Sequence, residues 1–153
     1  MLFASMSRAL MRAVPLSLAV VTLTACADDP FSPYWDRGTY YLNYANNRAV
    51  PAIVSGGPGG ARLEITGGSL TLRRDHSYQM LVTVRTWSAT GTFYESTKAF
   101  AGTYDNDDRT LWLNYFEPRD YYSNVMVANW RSGRIEVVVP NVDGMQDVLC
   151  SFD

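Results

Sequence analysis

The sequence predicts an all-β fold, a single antiparallel up-and-down β-barrel of roughly eight to ten strands that follows an N-terminal signal segment. Three observations lead to this prediction. Tyr, Trp, Val and Thr, which favour strands, are abundant from Gly38 to the C-terminus. Apolar and polar residues alternate in several runs, and turn-forming residues separate those runs. No segment of this region has apolar residues at the spacing of an amphipathic helix.

The alternation predicts which side chains face the barrel interior. Successive side chains of a strand point to opposite faces, so apolar residues at every second position should share one face. Three runs have this pattern: Tyr78, Met80, Val82 and Val84; Leu111, Leu113 and Tyr115; and Ile135, Val137 and Val139.

Turn-forming residues divide the chain into short strands. Gly-Thr-aromatic occurs three times, at Gly38, Gly91 and Gly102, and each copy is interpreted as the start of a strand where glycine relieves a bend. The glycine-rich segment 55–60 is predicted to be a loop between early strands, at a mouth of the barrel. Turns are predicted at Gly67-Gly68, Arg74-Asp75-His76, Asp105-Asn106-Asp107-Asp108, Ser132-Gly133 and Asp143-Gly144.

Residues 1–25 have the composition of an export signal. Arg8 and Arg12 are the only charged residues before Cys26, and an apolar stretch follows them. That stretch is shorter than the roughly 20 apolar residues of a transmembrane helix. We therefore expect a signal peptide that forms a helix over residues 9–25 and is removed. A buried apolar helix, or an ordinary signal peptide with an incidental cysteine, is the alternative.

The residues at the end of this signal resemble the bacterial lipobox. Leu23-Thr24-Ala25-Cys26 has an apolar residue and two small residues before a cysteine. The resemblance implies that the thiol of Cys26 takes a diacylglycerol and that the new amino terminus is acylated, which gives the several chains that stable anchoring needs. It implies a lipoprotein of the bacterial cell envelope in which residues 26–35 tether a domain of residues 36–153. In such lipoproteins an Asp after the cysteine favours the inner membrane, so the resemblance, with Ala27 at this position, implies the outer membrane over the inner membrane.

Charge and cysteine content exclude some classes of protein. All 15 acidic residues follow Cys26, and 11 of the 13 basic residues do, so the net charge of that part is 11 − 15 = −4. This balance does not fit a nucleic-acid-binding surface or a polybasic membrane patch. With Cys26 lipidated, Cys150 has no partner for an internal disulfide. We expect it to be a buried core residue; a reactive or intermolecular thiol is the alternative.

Three short motifs resemble those of small bacterial lipocalin-like lipoproteins. The resemblance implies a β-barrel that could hold an internal pocket, and it specifies no ligand. The motifs are Gly38-Thr39-Tyr40-Tyr41-Leu42 followed by Asn46-Asn47 and Val50-Pro51; the run from Gly68 to Tyr78, which is similar to a "G-x-L-x-L-x-x-D-G-x-Y" hairpin; and Gly102-Thr103-Tyr104 followed by Leu111-Trp112-Leu113.

Catalytic and metal-binding patterns are absent from the sequence. His76 is the single histidine and lies in a predicted turn. Asp105 to Asp108 could attract Ca²⁺, but Arg109 occupies a ligand position of the EF-hand pattern and the terminal Glu is missing. The glutamates are scattered, and the glycine-rich loop lacks Gly-Lys-Ser/Thr. We therefore predict a protein that is not an enzyme and has no catalytic residues, metal or cofactor.

The aromatic residues leave two hypotheses for function. The first is a binding module whose barrel holds a small apolar or amphipathic ligand. The second is a filled barrel whose surface contacts an envelope protein or the cell wall; residues 115–122 could then form an exposed aromatic patch. A barrel of about eight strands can be filled or can hold one ligand. The candidate ligand-binding residues are Tyr40, Tyr78, Tyr104, Trp112 and Trp130.

Overall fold

A computed structural model describes residues 37–57, 60–116, 123–142 and 146–153. The expected signal helix and the lipidation site therefore lie outside the described residues. The secondary structure of the described residues is entirely β. The strands are β1 (Gly38–Ala45), β2 (Arg48–Ala49), β3 (Ala52–Gly56), β4 (Arg62–Leu72), β5 (Ser77–Trp87), β6 (Phe93–Asp107), β7 (Thr110–Phe116), β8 (Ser123–Arg131), β9 (Arg134–Val142) and β10 (Gln146–Phe152).

Eight of these strands close into an antiparallel barrel. Each of β4 to β9 pairs with the next strand along the chain, β10 pairs with β1, and β1 pairs with β4 to complete the ring. The β1–β4 pairing covers only residues 38–41 of β1. Farther along, β1 pairs with β2 and β4 pairs with β3, so these two short strands fill the wedge between β1 and β4. The predicted all-β antiparallel barrel is confirmed.

The two ends of the barrel differ in which chain segments they carry. We call the end where β1 begins at Gly38 the proximal end; the turns after β4, β6 and β8 lie there. The opposite, distal end carries β3, the start of β4 and the turn between β5 and β6. Any tether before Gly38 therefore joins the barrel at its proximal end.

Several predicted turns and starts of strands are confirmed. The β4–β5 turn contains Asp75 and His76, and His76 has a positive φ of 60°. An Asp75 carboxylate oxygen accepts hydrogen bonds from the amide and hydroxyl of Ser77, which lowers the pKa of Asp75. Ser132 and Gly133 form the β8–β9 turn with positive φ. β1 begins at Gly38, and β6 begins two residues after Gly91.

Three turn or strand-start predictions are wrong. Gly67-Gly68 lies inside β4, where the pairing with β5 has a bulge after Ile65. Gly102 lies inside β6, not at its start, and marks the point where β6 begins to pair with β7. Residues 105–107 also belong to β6, so the turn falls at Asp108 and Arg109. The predicted turn at Asp143-Gly144 lies outside the described residues.

Gly68 and Gly102 are glycines because the backbone of a neighbouring strand lies too close for a side chain, and neither is part of a turn. A Cβ at Gly68 would overlap the carbonyl oxygen of Leu81, and a Cβ at Gly102 would overlap that of Asn114. The neighbouring strand therefore approaches closer at both positions than any side chain permits.

The core lies inside the barrel. The three runs of alternating apolar residues predicted to face inward are all buried, and inward residues of the other strands join them in one cluster. Alternation within each strand therefore separates a buried apolar interior from a more exposed outer wall.

Candidate functional site

Four of the five predicted ligand-binding residues belong to the barrel interior or its mouth. Tyr78 and Tyr104 are buried, at 1% and 5% exposure. Tyr40 and Trp130 are partly buried against the core, with their rings in an edge-to-face contact of 6.3 Å between centroids. Trp112 lies on the outer wall, where it pairs with the exposed Val127. The structure therefore does not gather all five residues around one space.

The interior is filled by side chains. A cavity wide enough to hold a water molecule leaves accessible area on the side chains that line it. The apolar side chains of the core have almost none; Ile65, Met80, Leu113, Ile135 and Val148, for example, have 0% exposure. Within the described residues, the core therefore offers no space that could receive an apolar ligand.

Aromatic rings close the proximal end. The hydroxyl of Tyr104 donates a 2.8 Å hydrogen bond to the carbonyl of Arg73 in the β4–β5 turn. The His76 ring lies 5.4 Å from the Tyr104 ring, and the Tyr104 amide donates to the His76 carbonyl. His76 thus has a structural role at this mouth, where its ring and backbone carbonyl contact Tyr104.

Two polar side chains tie strands together at the distal end. The ammonium of Lys98 on β6 donates a 3.1 Å hydrogen bond to the carbonyl of Pro140 on β9. The amide of Gln146 on β10 donates to the carbonyl of Val54 on β3. These contacts hold β3, β6, β9 and β10 together over this end of the core.

Two buried titratable groups lie inside the barrel. The Tyr78 hydroxyl has no hydrogen-bond partner among the described residues. Burial, and to a smaller extent the nearby Tyr115 phenol, raise the pKa of Tyr78 above its usual value. Cys150 is a free, fully buried thiol, as the sequence predicts, and burial raises its pKa to about 12. Neither group is activated for chemistry.

The described acidic, histidine and cysteine side chains form no group of three or more that could hold a metal ion. The carboxylates of residues 105–108 lie along the end of β6 and its turn, where they are exposed.

A cluster of arginines, aromatic rings and carboxylates lies on the outer wall at the distal end. We call it the distal cluster; its members are Arg62, Glu64, Arg85, Trp87, Phe93 and Glu95. Strand register assembles it, because β5–β6 pairing places Trp87 opposite Phe93 and Arg85 opposite Glu95. Arg62 lies opposite Trp87 across β4–β5, and Glu64 lies opposite Arg85. Cross-strand pairs of this kind are in direct contact.

Ring contacts, a hydrogen bond and an ion pair hold the distal cluster together. The Arg62 guanidinium lies 4.2 Å from the centroid of the Trp87 ring, and the rings of Trp87 and Phe93 are 4.8 Å apart. The Trp87 indole donates a 3.0 Å hydrogen bond to Glu64. Arg85 lies 3.1 Å from a Glu95 oxygen and 4.9 Å from the Phe93 ring. These charges and rings are thus fixed in place on an exposed surface.

The ring of Phe93 in the distal cluster remains in contact with solvent, since Phe93 is 54% exposed. Its chain neighbour Tyr94 is 56% exposed and lies on the opposite face of β6, the face of Lys98 and Phe100. Sequence analysis missed this cluster because its residues come from three strands and meet only once the register is known. The signal that could have found it is the β5–β6 hairpin itself, with Arg85 and Trp87 on one arm and Phe93 and Glu95 on the other.

The aromatic patch predicted at residues 115–122 is only partly described. Tyr115 is buried in the core, where its ring meets Phe100 edge to face. Phe116 is 65% exposed, and residues 117–122 lie outside the described residues.

None of the described segments forms a helix long and apolar enough to cross a bilayer. In comparisons with known proteins, the chain matches no protein-family model, no curated protein and no solved structure.

Proposed function

We propose that this protein is a lipid-anchored interaction module of the bacterial cell envelope: a filled β-barrel that binds an envelope protein through the distal cluster. The observation that carries this proposal is the packed interior, since the core side chains have almost no accessible area. A filled barrel is a rigid scaffold, so its binding function falls to its outer surface.

The composition of the distal cluster suits a protein partner. Trp, Tyr and Arg are the residues most enriched among those that dominate binding energy at protein interfaces. Trp87, Arg62 and Arg85 belong to this cluster. Ordering a flexible side chain on binding costs about 0.5–1.5 kcal/mol. Glu64 holds Trp87 and Glu95 holds Arg85 in the free protein, so binding a partner orders these two side chains at a smaller entropic cost.

The position of the distal cluster agrees with anchoring through Cys26. A tether before Gly38 meets the barrel at the proximal end, and the cluster lies at the opposite end. The 12 residues from Cys26 to Arg37 span at most about 40 Å when extended. An anchored barrel would therefore stay close to the membrane, and its tether would leave the distal cluster uncovered.

The carrier hypothesis has one observation in its favour, the unpartnered hydroxyl of Tyr78 within the core. A polar group inside a barrel could meet a polar atom of a ligand. The side chains around it leave no accessible area for such a ligand, so the interaction module accounts better for the barrel as a whole.

Photo-crosslinking in cells tests the proposal. Benzoylphenylalanine replaces Phe93, the exposed ring of the distal cluster, and in a matched control it replaces Tyr41, an exposed tyrosine at the proximal end of β1. We expect an adduct of defined mass with an envelope protein from position 93, no such adduct from position 41, and a loss of at least fivefold when Arg62→Ser is added. Equal adducts at both positions, or none at position 93, would overturn the proposal.

The membrane anchor needs a separate measurement. Mass spectrometry of the N-terminal peptide from cell envelopes should give Cys26 with acyl chains attached, and Cys26→Ser should release the protein from the membrane fraction. An unmodified Cys26, or an N-terminus at another residue, would contradict anchoring and leave the crosslinking result to be judged independently.

A further inference from the structure

The outer wall of the barrel carries an apolar row that crosses four neighbouring strands. Trp112 on β7 pairs with Val127 on β8, and Val138 on β9 pairs with Leu149 on β10. The pairing of Ala128 with Val137 places Val127 beside Val138, which joins the two halves. Val127 and Val138 are each 49% exposed, and Trp112 and Leu149 are half-buried. We call these four residues the apolar row.

The apolar row contains no charged side chain and lies away from both ends of the barrel. Val127, Val138 and Leu149 are each near the middle of their strands. The exposed Val125 extends the apolar surface on the distal side, and Asn129 and Glu136 border it on the proximal side. Burial of such a contiguous apolar surface against a partner would remove it from water, which is favourable. The distal cluster lies on other strands, β4 to β6, so the two surfaces are separate.

The order of side chains along the row makes it complementary to itself. When two identical walls face each other across a two-fold axis parallel to the strands, the row of one copy meets the reversed row of the other. Trp112 of one copy then lies opposite Leu149 of the second, and Val127 lies opposite Val138. The two small valines occupy the centre, where the convex walls approach closest, and the larger side chains lie at the flanks, where the walls curve apart.

The attachment point of the tether agrees with this arrangement. In two copies anchored in one leaflet, each tether runs from the membrane to the proximal end of its barrel. A two-fold axis parallel to the strands keeps both proximal ends on the same side, because β1 begins at that end in each copy. The side-by-side pair therefore suits attachment of both copies to one membrane.

We propose that the apolar row is a self-association surface through which two membrane-anchored copies of this chain pack side by side. This inference rests on the proposed anchor. Because convex walls touch over few strands, the contact is weak in dilute solution. Confinement to one membrane raises the effective concentration of the second copy and favours the pair.

Site-directed crosslinking of the full-length chain in cell envelopes tests this surface. Packed sheets lie about 10 Å apart, farther than the 4.4–6.8 Å between the Cα atoms of a disulfide. The test therefore uses a short bis-maleimide linker on Val127→Cys. The matched control is Gln79→Cys, an exposed position on the wall of β5, and Cys150 is buried in both variants.

We expect Val127→Cys to give a product of twice the mass of the chain, at least tenfold more than Gln79→Cys. Adding Val138→Asp should lower the yield at least fivefold, with an unchanged melting temperature showing that the barrel is folded. Equal yields at positions 127 and 79 would indicate random collision and overturn the proposal. So would no product at position 127, or a product with a different protein. The N-terminal peptide mass reports on the anchor independently, so failure of the anchor is distinguished from failure of the row.

Discussion

The indole nitrogen of Trp87 donates a 3.0 Å hydrogen bond to a carboxylate oxygen of Glu64, which also lies 3.7 Å from a guanidinium nitrogen of Arg85. One carboxylate thus positions both an aromatic ring and an arginine on the outer wall. Glu64 is the better buried of the two acids that contact Arg85, since its side chain is 17% exposed against 44% for Glu95. The order of the distal cluster therefore depends mainly on Glu64.

This relationship predicts unequal effects of removing the two acids. Glu64→Ala should lower the free energy of unfolding by about 1–2 kcal/mol, because the partly buried indole of Trp87 loses a charged acceptor. Glu95→Ala should change it by less than about 0.5 kcal/mol, because its ion pair with Arg85 is exposed and screened by solvent. Urea unfolding of both variants measures the difference. Equal losses would show that Glu64 does not organise the cluster.

Tyr78 and Tyr104 form a matched pair for testing how the hydrogen bonding of a tyrosine hydroxyl affects the stability of the barrel. Tyr78→Phe removes a buried hydroxyl that has no partner among the described residues, so it should stabilise the barrel by about 1 kcal/mol. Tyr104→Phe removes a 2.8 Å hydrogen bond to the Arg73 carbonyl, so it should destabilise by about 1 kcal/mol. Thermal unfolding checks both. A loss of stability in Tyr78→Phe would reveal a partner of the hydroxyl, such as an ordered water.

The two neighbouring glycines of β4 should respond differently to alanine. A Cβ at Gly68 would overlap the Leu81 carbonyl, so Gly68→Ala forces β4 and β5 apart and should cost about 2–3 kcal/mol. Gly67 has open space at the same position, so Gly67→Ala should lie between neutral and about 1 kcal/mol more stable. Guanidinium unfolding gives both values. Comparable costs for the two variants would contradict the close approach of β4 and β5.

Cys150 should be unreactive until the barrel unfolds. Its pKa is raised to about 12 because burial disfavours the thiolate, and the thiolate is the reactive form. Iodoacetamide should modify it only in denaturant, whereas a cysteine in place of the exposed Ala89 should react at once. Modification of native Cys150 at neutral pH would contradict its burial.

Because the pKa of Cys150 is raised, the free energy of unfolding of the barrel should fall in alkaline solution. Between about pH 9 and pH 12 the unfolded thiol releases its proton while the folded thiol keeps it, so rising pH favours unfolding. The fall attributable to Cys150 should disappear in Cys150→Ala, measured by urea unfolding at each pH.

Alternation predicted the fold and much of the core because it depends on a local rule. Residues such as Met80, Leu113 and Val137 face inward since every second side chain of a strand does, and the structure confirms them. Turn residues were informative where the turn needs them, as at His76 and Ser132. They misled at Gly67-Gly68, because a glycine that permits close backbone contact looks the same in sequence as a glycine that permits a turn.

The candidate site could not be predicted because it depends on register and volume. Arg62, Trp87 and Phe93 are far apart in sequence and meet only through the pairing of β4, β5 and β6. Trp112 was included among the candidate ligand-binding residues of the interior. Its chain neighbours Leu111 and Leu113 face the core, so alternation along β7 already places Trp112 on the outer wall. Whether an eight-stranded barrel is hollow depends on the summed volume of its inward side chains, which alternation does not give.

The most direct test of the account is native mass spectrometry of the full chain, purified from cell envelopes without denaturant. The account predicts a mass equal to the polypeptide plus its covalent acyl chains, because the filled core has no space for a ligand. A reproducible additional mass that organic extraction removes would show a bound apolar molecule and would contradict the filled barrel.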